Sequence, residues 1–216
     1  MSFMHGSIDK GLLRRKLLDI ELVCEVGFAD VKKYKRVANK LTPYDFMPNV
    51  KVAIIYLAKI NDVLSHYGKW YIVSLNNFLK KTNDKIIKLV KSLGYKAKGI
   101  IDERLTDDLI GRISFRQLAV LAGLGSIGLN GCLITPRYGP RVVIGVVLSD
   151  LEILPDEPFK GQLCTLCMTC VKLCPVGAIS LNGLDRFKCR SRRKVLGRGC
   201  GTPCILSCPI GADSGT

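Results

Sequence analysis

Between residues 8 and 20 the apolar positions Ile8, Leu12, Leu13 and Leu17 fall at helical spacing with Arg14, Arg15 and Lys16 between them, which predicts an amphipathic helix. Lys51 to Lys59 reads KVAIIYLAK, a short apolar run rich in branched residues and bounded by Pro48-Asn49 and Asn61-Asp62; it predicts a buried strand. From Leu75 to Leu93 the residues Leu75, Phe78, Leu79, Ile86, Val90 and Leu93 recur at three and four, with Gly94 as the stop, so a helix is expected there. Tyr95 to Ile101 then returns as a strand. Ser114 with Gln117 makes a capping box for a helix through Ala122, after which Gly123, Gly125 and Gly128 break the pattern. Arg141 to Val147 reads as another buried strand, and Leu154-Pro155-Asp156-Glu157-Pro158 as a linker. Together these elements predict an α+β protein. A mixed α/β domain of sandwich type covers 1–155, and a cysteine-rich module, held by metal in place of a large core, covers 156–216.

Composition supports a packed core, since 48% of residues are hydrophobic. The longest apolar stretch, Val52 to Ala58, is too short to cross a bilayer, and the N-terminus has no signal-peptide pattern. A soluble, cytoplasmic protein without membrane contact is expected. The formal net charge is +15, from 33 Lys and Arg against 18 Asp and Glu. Such a surface suits nucleic acid, an acidic redox partner or a lysine-rich thermophilic exterior, and composition alone leaves all three open. Only 7% of residues are aromatic, which argues against a stacking platform for single-stranded nucleic acid.

The cysteines carry the chemistry. Ten are present, and all but Cys24 and Cys132 are crowded into 164–208. That crowding reads as metal ligation in a reducing compartment, whereas Cys24 and Cys132, alone among apolar neighbours, read as structural thiols. Cys164, Cys167, Cys170 and Cys174 follow C-x2-C-x2-C-x3-C with Pro175 next, the bacterial ferredoxin run. In that run three thiolates hold three corners of a cubane and the fourth serves a neighbouring cluster. A second set follows in Cys189, Cys200, Cys204 and Cys208, and Cys174-Pro175-Val176-Gly177-Ala178 returns as Cys208-Pro209-Ile210-Gly211-Ala212. This internal repeat predicts two [4Fe-4S] clusters, one held by Cys164, Cys167, Cys170 and Cys208, the other by Cys174, Cys189, Cys200 and Cys204. Zinc is the architectural alternative, because tetrahedral thiolate sites are common; a single cluster is another, because ten residues separate Cys189 from Cys200 in the looser second set.

Two further signals need weighing. Residues 123–128, GLGSIG, satisfy G-x-G-x-x-G but follow a helix where a dinucleotide site needs a strand, so a helix-ending turn, or a loop that brings backbone close to another ligand, is expected instead. The basic run from Arg186 to Arg198 around Cys189 reads as a solvated loop that offsets cluster charge, or as a phosphate-contacting patch.

The stretch Ala122 to Asn130, then Leu133-Ile134-Thr135-Pro136-Arg137-Tyr138-Gly139-Pro140, the strand ending Ser149-Asp150 and the double cysteine module resemble the epoxyqueuosine reductase family and its shorter relatives. The match runs from about residue 95 to 212, with echoes at Val26-Gly27-Phe28-Ala29-Asp30 and Met47-Pro48. The resemblance implies a corrinoid-dependent reductase in which two clusters feed a cobalamin held by the α+β domain. Gly125, Ser126, Ile127, Gly128 and Asn130 would by that analogy lie against the corrinoid. It also implies a transfer RNA or nucleoside substrate, and related reductive dehalogenases remove halide. The family's catalytic acid sits in an Asp-Thr/Ser-Gly/Ala-Pro motif; here Ile101-Asp102-Glu103-Arg104 stands in its place, so Asp102 is the nearest candidate, with Asp107 and Asp108 behind it. The sequence reads as a short form without the C-terminal helical repeats with which longer members grip RNA. Only His5 and His66 offer nitrogen, neither in a matching motif, so a corrinoid without a protein histidine ligand is expected.

The leading expectation is therefore an iron–sulfur oxidoreductase supplied by an electron donor of ferredoxin or flavodoxin type. The alternatives are a ferredoxin-like module delivering electrons to a partner protein, and a basic RNA-binding protein with structural clusters.

Overall fold

The apolar run at 51–59 forms the centre of the molecule. The computed structural model describes residues 8–36, 41–67, 71–101, 113–196 and 202–211. In chain order its first elements are α1 (Lys10–Leu18), β1 (Glu25–Asp30), α2 (Pro43–Phe46), β2 (Val52–Lys59), α3 (Ile60–Tyr67), α4 (Tyr71–Ser92), β3 (Ala97–Ile100) and α5 (Phe115–Leu121). A short hairpin, β4 (Ser126–Ile127) and β5 (Leu133–Ile134), leads to β6 (Val142–Ser149). The cysteine-rich segment holds α6 (Thr169–Lys172), β7 (Ile179–Ser180), β8 (Gly183–Leu184), α7 (Arg186–Leu196) and α8 (Pro203–Leu206).

The main sheet runs β1-β2-β6-β3 with every neighbouring pair antiparallel. Side chains alternate along β2: Val52, Ile54 and Tyr56 face Leu13, Phe78 and Val90 from α1 and α4, whereas Ala53, Ile55 and Leu57 face Phe115 and Leu118 from α5. Both faces of the sheet are covered, so β2 reads as a continuous apolar run without polar alternation. Each of these large side chains is fully buried, worth about 1.5–3 kcal/mol apiece. Tyr56 brings a hydroxyl into this core and satisfies it by donating to Asn83 Oδ1 at 2.8 Å. This is the expected α+β sandwich.

Local signals were read correctly where a cap was present. Asp9 accepts from the Leu12 N–H at 2.9 Å to start α1, and Ser114 accepts from the Gln117 N–H at 3.2 Å to start α5. Four readings change. The edge strand β1 was not anticipated, because Gly27 and Asp30 dilute its apolar content. The apolar run ends at Lys59 as expected, with Asn61-Asp62 in α3 just beyond it, but α4 begins four residues before the expected Leu75. The basic run is not a loop over 186–196: it is the helix α7, opened by Asp185, which accepts from the Lys188 N–H at 2.9 Å. Its remainder to Arg198 lies outside the described residues. Finally, 154–158 is a docked strap. The Asp156 N–H donates to the Phe28 carbonyl at 2.7 Å, and its carboxylate meets Lys10 and Arg14, each at 2.6 Å. No helix among the described residues is long and apolar enough to cross a membrane.

Candidate metal centre

The ferredoxin-type run wraps a small space. Residues 162–168 carry no regular structure, and Leu166 (φ 55°) and Met168 (φ 61°) sit in the left-handed region, each at a cost of about 1–2 kcal/mol. This bending turns Cys164, Cys167 and Cys170 toward one pocket, whose wall also includes Cys208 from the far end of the segment. Leu129, Asn130 and Ile134 close it from the hairpin side, and the space between the walls, counting what opens to solvent, is about 380 Å³. Cys167 is exposed; Cys164, Cys170 and Cys208 are half-buried. Hydrogen bonding to Thr169 holds the Cys167 thiol below its ordinary pKa, while burial pushes Cys170 and Cys208 up.

The repeated peptide has a repeated conformation. Met168 and Thr202 are both left-handed, each opens a single helical turn, α6 and α8, and each turn ends at a Cys-Pro pair. The Cys174 N–H donates to the Val171 carbonyl and the Cys208 N–H to the Ile205 carbonyl, both at 3.4 Å. Gly177 (φ 58°) and Gly211 (φ 67°) hold equivalent turns beyond.

Of the second set, Cys174 Sγ accepts from the Ala178 N–H at 3.3 Å, and Cys189 lies on α7 with Arg192 Nη1 3.9 Å from its sulfur. Cys204 lies on α8, and Cys200 falls outside the described residues. Among the described residues, no three His, Cys, Asp or Glu side chains converge as the ligands of a single ion would.

The glycine loop forms the seat beneath this segment. Gly125 has φ +155°, and a Cβ there would fall 2.1 Å from the Ile134 carbonyl oxygen, so the close approach it permits is to its own hairpin. Ser126 Oγ donates to Gln162 Oε1 at 2.7 Å and accepts from the Leu163 N–H at 2.9 Å, just before Cys164. Asn130 Nδ2 donates to the Cys204 carbonyl at 2.8 Å. Ile127, by contrast, is exposed, with Gly128 beside it half-buried. Arg141 donates to the carbonyls of Ile205, Cys208 and Ile210. Sequence reasoning passed over Arg141, Leu129 and Gln162, because nothing in their local pattern marks a contact made more than 30 residues away.

Asp102, Asp107, Asp108 and His5 lie outside the described residues. His66 is on α3, with Nδ1 3.7 Å from Glu21. Cys24 and Cys132 are half-buried, and burial pushes each thiol up to about 11, as structural thiols require.

Comparison with known proteins agrees with this geometry. Residues 162–180 match the 4Fe-4S binding domain. The epoxyqueuosine reductase of Bacillus anthracis is 25% identical over 203 residues, covering 88% of this chain and 51% of the relative. A solved epoxyqueuosine reductase with an epoxyqueuosine-modified tRNA stem loop shares the fold, with TM-score 0.72, 21% identity, and coverage of 95% of this chain and 66% of that one. The chain is similar to epoxyqueuosine reductases over most of its length. A reductive dehalogenase whose structure suggests a mechanism for B12-dependent dehalogenation has the same fold over 87% of this chain and 29% of its own, at TM-score 0.65 and 22% identity. The chain spans about half the length of the curated epoxyqueuosine reductases it matches.

Proposed function

We propose that this chain is an iron–sulfur reductase with an α/β domain over 1–155 and a ferredoxin-like module over 156–216 carrying two [4Fe-4S] clusters. The reading is carried by one observation: Cys164, Cys167 and Cys170 share a pocket wall with Cys208, which comes from the other half of the repeat. Four thiols around a space, instead of on a point, are the donor set an inorganic cube takes, one per iron. Cys174, Cys189, Cys200 and Cys204 are the proposed ligands of the second cluster. Closely spaced cysteines that ligate metal in place of forming disulfides fit a reducing compartment, and on that ground we propose a cytoplasmic location.

The resemblance brings a corrinoid with it. A bound corrinoid supplies a low-valent metal centre that accepts single electrons and acts on the substrate. The hairpin presents the exposed apolar side chain of Ile127 as a surface toward such a ring, while the bare side of Gly128 lies against Ile134 and Asn130 within the hairpin. Gly125, Ser126 and Asn130 frame that surface through their contacts to Ile134, Gln162 and Cys204. Asp102 is the proposed proton donor, and a modified nucleoside in transfer RNA the proposed substrate, as in the solved relative bound to a tRNA stem loop. A ferredoxin or flavodoxin would supply the electrons.

The second reading, an electron-transfer protein for a partner, is favoured by the exposure of Phe187 and Lys188 on the helix that carries Cys189. One preparation separates these. Protein purified without oxygen is expected to contain iron and labile sulfide in equal amounts, to bleach on reduction, and to shift the visible spectrum of added cobalamin. Zinc in place of iron and sulfide overturns the cluster reading. Intact clusters with an unshifted cobalamin spectrum overturn the corrinoid and leave the electron-transfer reading standing.

A further inference from the structure

Arg141 stands immediately before β6 and reaches the second Cys-Pro element with both terminal nitrogens. Nη1 donates to the Cys208 carbonyl at 2.9 Å and the Ile205 carbonyl at 3.3 Å, and Nη2 to the Ile210 carbonyl at 2.6 Å. These oxygens lie at the end of α8 and just beyond it; the Ile205 oxygen also accepts from the Cys208 N–H at 3.4 Å, so Arg141 adds a donor to it there. A planar fork with five donors can hold three carbonyls at once; an ammonium on a flexible stem cannot keep that arrangement. The two backbones are built to touch at this point. A Cβ on Gly139 would fall 1.9 Å from the Ile210 oxygen, and one on Gly211 would fall 2.3 Å from the Gly139 nitrogen. Among the described residues no carboxylate pairs with Arg141, so its charge is directed at these carbonyls.

We propose that Arg141 is the positioning residue of the first cluster: from outside the cysteine segment it holds the backbone on both sides of Cys208, the one ligand that crosses from the other half of the repeat, and sets a fixed positive charge against it. The inference rests on the two-cluster reading. Losing the charge favours the more oxidised, less negative cluster, and losing the fork loosens one ligand of four. The effect falls mainly on the first cluster: Arg141 also reaches Ile205 on the turn that carries Cys204, but Cys204 is held by Asn130 as well.

The test is a redox titration of the anaerobic protein followed by electron paramagnetic resonance, comparing wild type with Arg141→Gln, Arg141→Lys and Arg137→Gln. The last removes a nearby charge whose guanidinium stacks on Tyr138 instead. In Arg141→Gln one of the two cluster signals is expected to move to more negative potential and broaden, or to vanish with half the iron, while the other signal moves less. Arg141→Lys recovers part of the potential shift, through its charge, but not the narrow line. Arg137→Gln matches wild type. Equal movement of both signals, or no movement, overturns the role of Arg141. Should Arg141→Gln not fold, Arg141→Lys decides, since a spectrum identical to wild type would likewise overturn it. Wild-type protein holding zinc instead of clusters sinks the reading beneath the inference, which is a separate and recognisable result.

Discussion

At the scale of single residues, the glycine loop shows how one signal can be right about chemistry and wrong about its object. The run at 123–128 marks a place where backbone must come close to something, and Gly125 meets the Ile134 carbonyl of its own hairpin. Gly125→Ala adds a Cβ into that oxygen at a φ that L side chains avoid, so a loss of at least about 2 kcal/mol is expected, with reduced cluster content. Gly94→Ala is the control, because φ is also positive there but nothing lies within 4 Å; its cost should be about 1 kcal/mol. Melting temperatures and iron content of the two variants, measured side by side, check the difference. The cysteine spacing was legible at this scale because a ferredoxin run is written in consecutive residues. Arg141 was not, since an arginine before a strand looks like any other until the chain closes on it.

At the scale of elements, the strap at 154–158 ties the start of the cysteine segment to α1 and β1 through Asp156. Burial pushes its carboxyl up, but Lys10, the Phe28 N–H and Arg14 outweigh burial and hold it below the ordinary carboxylate range. A depressed folded pKa adds stability that is present above the unfolded value near pH 4 and is lost as pH falls through the folded one. Asp156→Asn is therefore expected to weaken the strap at pH 7 by about 1–2 kcal/mol, a figure reduced for the partly exposed cations. Amide exchange at Asp156 and Phe159 should accelerate by about tenfold at neutral pH, with wild type and variant converging only as pH falls below the ordinary carboxylate range. A variant whose exchange matches wild type at neutral pH would show that the ion pairs contribute nothing there. The Pro-rich composition predicts an irregular segment; that it is pinned depends on Lys10 and Arg14, distant in sequence. The helix α7 was missed for a different reason. Its basic residues supply no apolar period, and only Asp185 signals its start.

At the scale of the whole molecule, the pocket around Cys164 and Cys208 takes part of its wall from Leu129, Asn130 and Ile134. A fragment of residues 156–216, refolded with iron and sulfide, is accordingly expected to hold its clusters far less durably than the full chain. Their half-lives under a chelator would measure this, and equal half-lives would show the module to be self-sufficient. By itself the sequence determined the α+β class, the two-sided burial of β2, the repeat of the Cys-Pro peptide and the thiol chemistry. All of these follow from near-neighbour spacing, which backbone geometry converts directly into faces and loops. Tertiary structure alone decided what the glycine loop touches, where the strap docks and which arginine reaches Cys208. Those depend on residues far apart in the chain whose partners are chosen only when the sheet, hairpin and cysteine segment pack together.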